Sequence, residues 1–219
     1  MRLINSIILC IIASCFALSG EAKTIRDIFT SEPDNVFMIL PSRTRMDMLD
    51  YYDIGNKVAA TNNLSDDDTT SQLITVTDNL IAVSLTDATE VDLQLLTSKS
   101  DSLVVVVQTA MLPQRDSHIS FYDTTWAPCK QKDVFKAPSV KDFIKKSADK
   151  NAKAKVDEVV KFPIISYEMP AEKPGTLIAH LNIEEFLSKE DWDAVKDYLT
   201  TSLTYNFDGK RFKLAIPKD

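Results

Sequence analysis

Alternating apolar and polar residues mark a series of short β-strands in the first half of the chain. The segments 81–85 and 91–95 each place an apolar side chain at every second position. A period of two predicts strands with one buried side and one wet side, so Asp92 and Gln94 are expected to face away from the core. The run from Val104 to Val107 breaks the alternation and indicates a strand covered on both faces.

The connections between these strands are short and polar, such as Asp78-Asn79 and 98–101. Links of this length cannot hold a crossover helix, so we expect the strands to pair as an antiparallel meander. Late in the chain, Asp208-Gly209 is a strong hairpin signal. Strands outside the first block are expected at residues 57–62, 164–169, 176–181, 203–207 and 212–216.

Helical spacing of apolar residues predicts a covering layer for this sheet. Ser42 is a residue type that caps helices, and Met46, Leu49 and Tyr52 share one side of the helix that follows it. A short helix is expected from Thr24 to Phe29. We therefore predict an α+β fold, in which an antiparallel sheet carries helices mainly on one face. The three main helices are predicted at residues 43–54, about 139–150 and 189–200, with Ser139 capping the second and Ser188 opening a capping box at the third.

The domain prediction is a single α+β domain over residues 23–219, with a possible break into two lobes near 127–160. Between Lys130 and Lys161, ten lysines stand against five acidic residues, although the whole chain carries a net charge of −7. A basic amphipathic helix can lie on an anionic membrane. A surface helix whose lysines extend to water is the favoured interpretation.

Composition fits a globular protein, with 44% hydrophobic and 26% charged residues. The acidic net charge argues against non-specific nucleic-acid binding, which needs a basic surface. Only four glycines are present, so a glycine-rich phosphate loop is not expected. No cofactor is predicted.

The N-terminus is typical of a secretory signal peptide over residues 1–22. Met1-Arg2 precedes an apolar run, and small residues follow it at the expected cleavage region. Cleavage after Ala22 or after Ser19 is compatible with this pattern. An alternative is a bacterial lipobox, in which Cys15 carries a lipid and becomes the new N-terminus.

Removal of the leader leaves Cys129 as the only cysteine, so no internal disulfide is expected. One cysteine and two histidines cannot form a familiar Cys/His zinc site. The run Asp66 to Asp68 lacks the ligand spacing of an EF-hand and is interpreted as a solvated turn. No metal site is predicted.

Several distinctive segments occur together in this chain. They resemble an uncharacterised family of exported proteins from Bacteroidales bacteria, a domain of unknown function. The resemblance covers essentially the whole mature chain, from Lys23 onward, and it implies export and a lineage but no activity. The segments that carry it are Thr24 to Phe29, Arg45 to Met48, Ser117 to Trp126 and Asp208 to Phe212.

Catalytic candidates are few because the chain has only two histidines. His118 has Ser117 and Ser120 nearby, but neighbours along a strand alternate faces, and no nucleophile elbow is present. His180, beside Asn182, is interpreted as a surface histidine. Cys129 precedes Lys130, which can lower a thiol pKa, but no base for it is identifiable. No catalytic residue is predicted.

A binding role is predicted for Tyr122, Asp123 and Trp126, an aromatic and acidic cluster at a strand end. The alternative for Trp126 is that it closes the core.

The function predicted from these observations is a non-enzymatic binding module, exported to the periplasm or outer envelope. Its partner would be a protein, a lipid or another envelope ligand, with membrane attachment only if Cys15 is lipidated. The alternative is an envelope hydrolase acting on glycan or peptide. That alternative predicts a cleft in which two carboxylates, or His118 and a hydroxyl, converge.

Overall fold

The structure is a computed structural model that describes residues 22–55, 60–61, 70–98 and 102–215. Most of the predicted leader, residues 1–21, and the Asp66 to Asp68 turn lie outside the described residues. Every helix in the described part of the chain is too short or too polar to cross a membrane. The helices are α1 (Ile25–Ser31), α2 (Ser42–Asp53), α3 (Gln131–Val134), α4 (Lys150–Val159) and α5 (Lys189–Val195), with 3-10 turns at Val140–Phe143, Glu184–Phe186 and Lys196–Tyr198.

The first sheet is a meander of six antiparallel strands in sequence order, as predicted. Its turns are short. Across the Asp78-Asn79 turn, the Thr77 amide donates to the Leu80 carbonyl, and the Leu80 amide donates to the Thr77 hydroxyl. Of the predicted strand 57–62, only residues 60 and 61 lie within the described part. The strands are β1 (Ala60–Thr61), β2 (Thr70–Val76), β3 (Leu80–Thr86), β4 (Thr89–Thr97), β5 (Ser102–Ala110) and β6 (Asp116–Tyr122).

The second sheet contains four antiparallel strands in the order β10-β9-β8-β7. Its hairpin turns at Asp208-Gly209, as predicted, and Gly209 adopts a φ of 95° that favours glycine. The α+β class and the antiparallel pairing are therefore confirmed. The strands are β7 (Ile165–Glu168), β8 (Thr176–Leu181), β9 (Ser202–Phe207) and β10 (Phe212–Leu214).

The first sheet separates two hydrophobic cores, and β5 contributes to both. Val104 and Val106 pack with α1 and α2, whereas Val105 and Val107 pack against the second sheet. The valine run is thus covered on both faces, as predicted.

The placement of the helices differs from the expectation of one shared face. Helix α2 lies in one core, while Val195 of α5 lies in the other, because the second sheet and its helices cover the face opposite α1 and α2.

The predicted helix at about 139–150 is corrected by the structure. Ser139 caps as expected, in a reciprocal capping box with Asp142, but it opens only a 3-10 turn. The chain then extends, and Ile144 forms a β-bridge with Leu199. Asp149 accepts a hydrogen bond from the Ala152 amide and starts α4. Tertiary pairing with the segment around Leu199 therefore divides an otherwise continuous helical pattern.

The buried side of α2 also differs from the prediction. Met46 is 54% exposed, whereas Arg45 is fully buried together with Met48 and Leu49. Ser42 does not cap the helix through its side chain, because its hydroxyl donates to the Thr30 carbonyl. Leu49 and Tyr52 do pack on the core as predicted, but Met46 does not, because Arg45 takes its place and a charged core residue cannot be inferred from apolar spacing.

A buried ion network explains why Arg45 is accommodated there. Its guanidinium donates to the carboxylates of Glu32 and Asp34, at 3.4 and 2.9 Å, and to the Leu40 carbonyl at 2.7 Å. The rings of Phe29 and Phe37 lie 6.0 and 5.6 Å from the guanidinium carbon. The network ties α2 to the loop that precedes it.

The second core is built around Phe135, which directly follows α3. Its ring makes edge-on contacts with Phe121 of the first sheet and with three aromatic residues of the second. Phe135 is 2% exposed. The segment 127–160 thus supplies side chains to the core between the sheets. The three partners in the second sheet are Tyr167, Tyr205 and Phe212.

Candidate functional site

The predicted aromatic cluster lies where β6 meets α1. Trp126 is only 9% exposed, and its indole N–H donates to the Ile28 carbonyl at 3.2 Å. Its ring lies 5.2 Å from the ring of Tyr122. Trp126 therefore closes the core on the α1 side of the first sheet.

Asp123 organises the turn between these two rings. Its carboxylate accepts hydrogen bonds from the amide and hydroxyl of Thr125, both at 2.7 Å, and from the Ala127 amide at 3.0 Å. The hydrogen bond from the Thr125 side chain is the main cause that lowers the Asp123 pKa. These contacts give Tyr122, Asp123 and Trp126 a structural role, and a binding role for them stays a prediction.

The other residues considered from sequence are spread over the fold. His118 is exposed on β6, and no hydrogen bond within the described residues joins it to a hydroxyl. Burial, followed by the charge of Asp123, raises the Cys129 pKa. The expectation that Lys130 lowers it is therefore wrong. No group of three His, Cys, Asp or Glu side chains in the described ranges is arranged to hold a metal ion.

A concave feature lined by polar residues is a cleft of about 450 Å³ between the two sheets, which we call the inter-sheet cleft. One wall comes from β4 and the segment leading into β6, and the other comes from β7 and β8. The cleft combines carboxylate, imidazole, guanidinium, amide and hydroxyl groups. Its lining residues are Asp92, Arg115, Ser166, Tyr167, Glu168, His180 and Asn182.

Asp92 reaches the cleft because of the two-residue period of β4. Val91 and Leu93 point to the α1 and α2 core, so Asp92 and Gln94 point to the second sheet. The expected wet face is corrected here, since Gln94 is fully buried. The Gln94 side-chain carbonyl accepts from the Gly175 amide at 3.2 Å, while its Nε2 has no partner among the described residues.

The opposite wall is held by hydrogen bonds within and between the sheets. His180 Nε2 and Glu168 Oε2 are 3.0 Å apart across the β7–β8 pair. The Asn182 side-chain amide donates to the Ser166 hydroxyl at 2.8 Å and to the Arg115 carbonyl at 2.6 Å. These bonds join the two walls, so the cleft has a defined shape.

The electrostatics of the cleft centre on Asp92. Its pKa is raised to about 6, first by burial and then by the charges of Glu90 and Glu168, while Arg115 opposes the shift. Arg115 is itself paired with Glu90 at 2.7 Å. No hydrogen bond from the described residues reaches the Asp92 carboxylate. This half-buried carboxylate therefore has no hydrogen-bond donor among the described residues and lies in an acidic site.

A larger depression of about 860 Å³ lies at another part of the sheet interface, next to the β9–β10 turn. Its charged residues, Asp78, Asp208 and Lys210, lie in connections between strands. Asp208 accepts from the amides of Lys210 and Arg211 and pairs with Lys213 at 2.7 Å, and these bonds lower its pKa. Because the inter-sheet cleft contains a half-buried carboxylate whose pKa is raised by burial and which has no hydrogen-bond donor among the described residues, it is the better candidate site.

The raised pKa predicts a pH-dependent effect of replacing Asp92 with asparagine. Between about pH 4 and pH 6, folded Asp92 binds more protons than unfolded Asp92, so its contribution to stability falls as pH rises. Asp92→Asn should therefore raise the free energy of unfolding by about 2–3 kcal/mol near neutral pH and by little near pH 4. Urea denaturation at both pH values measures this difference.

The matched control is Asp87→Asn, which changes an exposed carboxylate in the β3–β4 turn. It should leave the free energy of unfolding within about 0.5 kcal/mol of wild type at both pH values. Equal stability of wild type and Asp92→Asn near neutral pH would contradict the raised pKa.

The sequence pattern does not bring the cleft residues together. It favours a surface histidine at a strand end for His180, beside Asn182. The available signal was the pairing pattern of two adjacent strands, which brings Glu168 and His180 to the same side. Asp92 comes from a strand far away in sequence, and no local pattern indicates that the two sheets meet there.

Fold and cleft together define a two-sheet α+β protein with an acidic site between its sheets. The chain belongs to the family described as "Protein of unknown function (DUF3256)", whose model matches residues 17–212. Resemblance to an uncharacterised family is thereby confirmed, whereas export and the Bacteroidales lineage stay predictions. None of the curated proteins matches this chain.

A solved structure shows the same fold. It is the structure of a domain of an uncharacterized protein from Porphyromonas gingivalis W83, with a TM-score of 0.74 and 23% sequence identity. The match covers 88% of this chain and 98% of that chain. At this level of identity the similarity concerns the fold alone.

Proposed function

We propose that the protein is a non-enzymatic binding module whose ligand presents a protonated amine to the inter-sheet cleft. The Asp92 carboxylate carries this proposal, because it lines the cleft and accepts no hydrogen bond from the described residues. The leader over residues 1–22, or lipidation at Cys15, supports a location in the periplasm or outer envelope. The ligand is then an envelope component or an exported protein.

An ammonium group supplies the hydrogen-bond donors and the positive charge that the Asp92 carboxylate lacks. An ionised carboxylate removed from water is unfavourable unless hydrogen-bond donors and positive charge surround it. An ammonium group brings a positive charge and three N–H donors. Binding then favours the ionised form of Asp92, so complex formation near pH 6 releases protons.

The rest of the cleft selects the same kind of ligand. Glu90 and Glu168 add negative charge near Asp92, and the Arg115 guanidinium is the positive group of the described chain that opposes them there. Ser166 and Asn182 are already hydrogen-bonded to each other, so the polar wall is formed before a ligand arrives. Preorganisation of this kind reduces the entropy lost on binding.

The test is titration with Nα-acetyl-lysine amide and with Nα,Nε-diacetyl-lysine amide, which has no ammonium group, followed by NMR amide shifts and by calorimetry. The singly acetylated probe should shift resonances of the cleft strands near neutral pH, while the diacetylated probe should not. Asp92→Asn should weaken binding at least about tenfold, since it removes the charge that meets the ammonium group. Lowering the pH below about 6 should weaken binding as Asp92 is protonated.

Asp87→Asn again serves as the control of equal net charge, and its affinity should equal that of wild type. Because Asp92→Asn is expected to stabilise the fold, loss of binding in this variant cannot be attributed to unfolding. Equal binding of the two lysine probes, or full affinity in Asp92→Asn, would refute the proposal.

The second candidate is an envelope hydrolase acting on glycan or peptide. The favouring observation is that the cleft contains the Asp92 carboxyl, with its pKa of about 6, and the Glu168 carboxylate beside His180. A carboxyl with a pKa near the working pH suits general acid catalysis. Hydrolysis of an envelope glycan or peptide, lost in both Asp92→Asn and Glu168→Gln, would establish this function, and turnover that survives both changes would exclude it.

A further inference from the structure

A second concave surface lies in the basic part of the chain, between the segment after the first 3-10 turn and helix α4. This depression has a volume of about 370 Å³, and we call it the lysine depression. Four of its six lining residues are lysines, in a chain whose net charge is −7. The lining residues are Lys141, Ile144, Lys145, Lys146, Lys153 and Asp157.

The lysines come from two elements whose backbones are held in place. The extended segment is fixed by the Ile144–Leu199 bridge and by the bond from the Lys145 amide to the Tyr198 carbonyl, at 2.8 Å. On the other side, Ala152 of α4 is buried, and the helix is capped by Asp149. The depression therefore has a fixed floor beneath flexible ammonium groups.

Its positive charge is poorly compensated. Asp157 is the one acidic residue in the lining, and its carboxylate lies 4.0 Å from the Lys141 ammonium group. Lys145 Nζ donates to the Asp197 carbonyl at 2.9 Å. Within the described ranges, the side chains of Lys146 and Lys153 have no hydrogen-bond or ion-pair partner.

The lysines of the depression are not explained by a need to cover an exposed apolar face of α4. Val156 of α4 is buried in the core between the sheets, Val159 packs against that core, and Ala152 is buried as well. The amphipathic pattern of α4 is therefore used for internal packing, and its apolar face is not free to enter a membrane. Four like charges around one depression repel each other, and an anion in the depression would remove that repulsion.

We propose that the lysine depression binds a phosphate group of a larger ligand. A phosphate group has several strong acceptor oxygens and at least one negative charge, which match several converging ammonium donors. The phosphate group belongs either to a soluble phosphorylated compound or to an anionic lipid headgroup. The site is separate from the inter-sheet cleft, shares no lining residue with it, and does not depend on the function proposed there.

Two binding measurements on the full mature chain identify the source of the phosphate. The first is calorimetric titration with inorganic pyrophosphate, and the second is co-sedimentation with phosphatidylcholine vesicles with and without phosphatidylglycerol. In whichever of the two measurements detects binding to wild type, the double variant K146Q/K153Q should weaken that binding by about thirtyfold. Added salt should weaken wild-type binding, since the contacts are between exposed charges.

The control is K130Q/K173Q, which removes two exposed lysines outside the depression and gives the same net charge. It should bind as wild type does. Binding of pyrophosphate alone supports a soluble ligand, and binding only to phosphatidylglycerol vesicles supports a lipid headgroup. Absence of binding in both arms, or an equal loss in the two double variants, would overturn the proposal.

Discussion

Replacing Arg45 with alanine is expected to lower the free energy of unfolding by about 3–5 kcal/mol, because the change leaves a buried carboxylate unpaired. The side chains of Arg45 and Glu32 are both fully buried, and their charged atoms lie 3.4 Å apart. For a chain of this length, such a loss corresponds to a fall in Tm of about 6–20 °C. Thermal and urea denaturation measure both quantities.

The size of this effect follows from the position of Glu32. Its carboxylate also accepts hydrogen bonds from the amides of Asn35, Val36 and Phe37, which arranges the loop before α2. Removing Arg45 therefore weakens the loop and opens a cavity against Phe29. The loop carbonyls that the guanidinium satisfied also lose their donor.

Arg43→Ala is the matched control, since Arg43 is exposed on the same helix. It should change the free energy of unfolding by less than about 0.5 kcal/mol. Arg45→Lys should recover only part of the stability, because an ammonium group cannot contact Glu32, Asp34 and Leu40 in the planar geometry of a guanidinium. Similar stabilities of Arg43→Ala and Arg45→Ala would show that the buried ion network contributes nothing.

Replacing Phe135 with alanine is the second large effect, expected to cost about 3–5 kcal/mol of stability. The Phe135 ring lies 6.3 Å from that of Phe121 and 5.1 Å from that of Tyr205, so its removal separates the two sheets at their shared core. The short helix α3 ends at Val134 and the backbone of Phe135 is itself extended, so another side chain of the helix cannot take the place of this ring. The free energy of unfolding from urea denaturation tests the prediction.

Phe162→Ala provides the comparison, because Phe162 is 57% exposed. Its effect should stay within about 0.5 kcal/mol. Phe135→Leu, which retains most of the apolar volume, should lose less stability than Phe135→Ala. If Phe135→Ala were as stable as Phe162→Ala, the aromatic cluster would not be the joint between the sheets.

The local sequence pattern does not indicate that either Arg45 or Phe135 makes a large contribution to stability. Arg45 interrupts the apolar spacing of α2, and Phe135 stands in a segment dominated by lysines. Their roles arise from partners distant in the chain, such as Glu32 for Arg45 and Tyr205 for Phe135. The same is true of the inter-sheet cleft, where Asp92 and Glu168 belong to different sheets.

The sequence by itself determined the strands of the meander, the late hairpin at Asp208-Gly209 and the caps at Ser139 and Ser188. These features depend on neighbours within a few residues, through the two-residue period of a strand and the hydrogen bonds of a turn or helix end. Local chemistry is fully present in the sequence, so local elements could be predicted. The boundaries of the 139–150 helix could not, since Ile144 pairs with Leu199.

Only the tertiary structure decided which polar residues are covered. The alternation of β4 correctly separates Asp92 and Gln94 from the apolar side, but it does not reveal that a second sheet covers them. That sheet begins about seventy residues later, and its contact with β4 depends on packing across the whole chain. Burial by distant elements raises the pKa of Asp92 and creates the candidate site, which is why the site was absent from the sequence pattern.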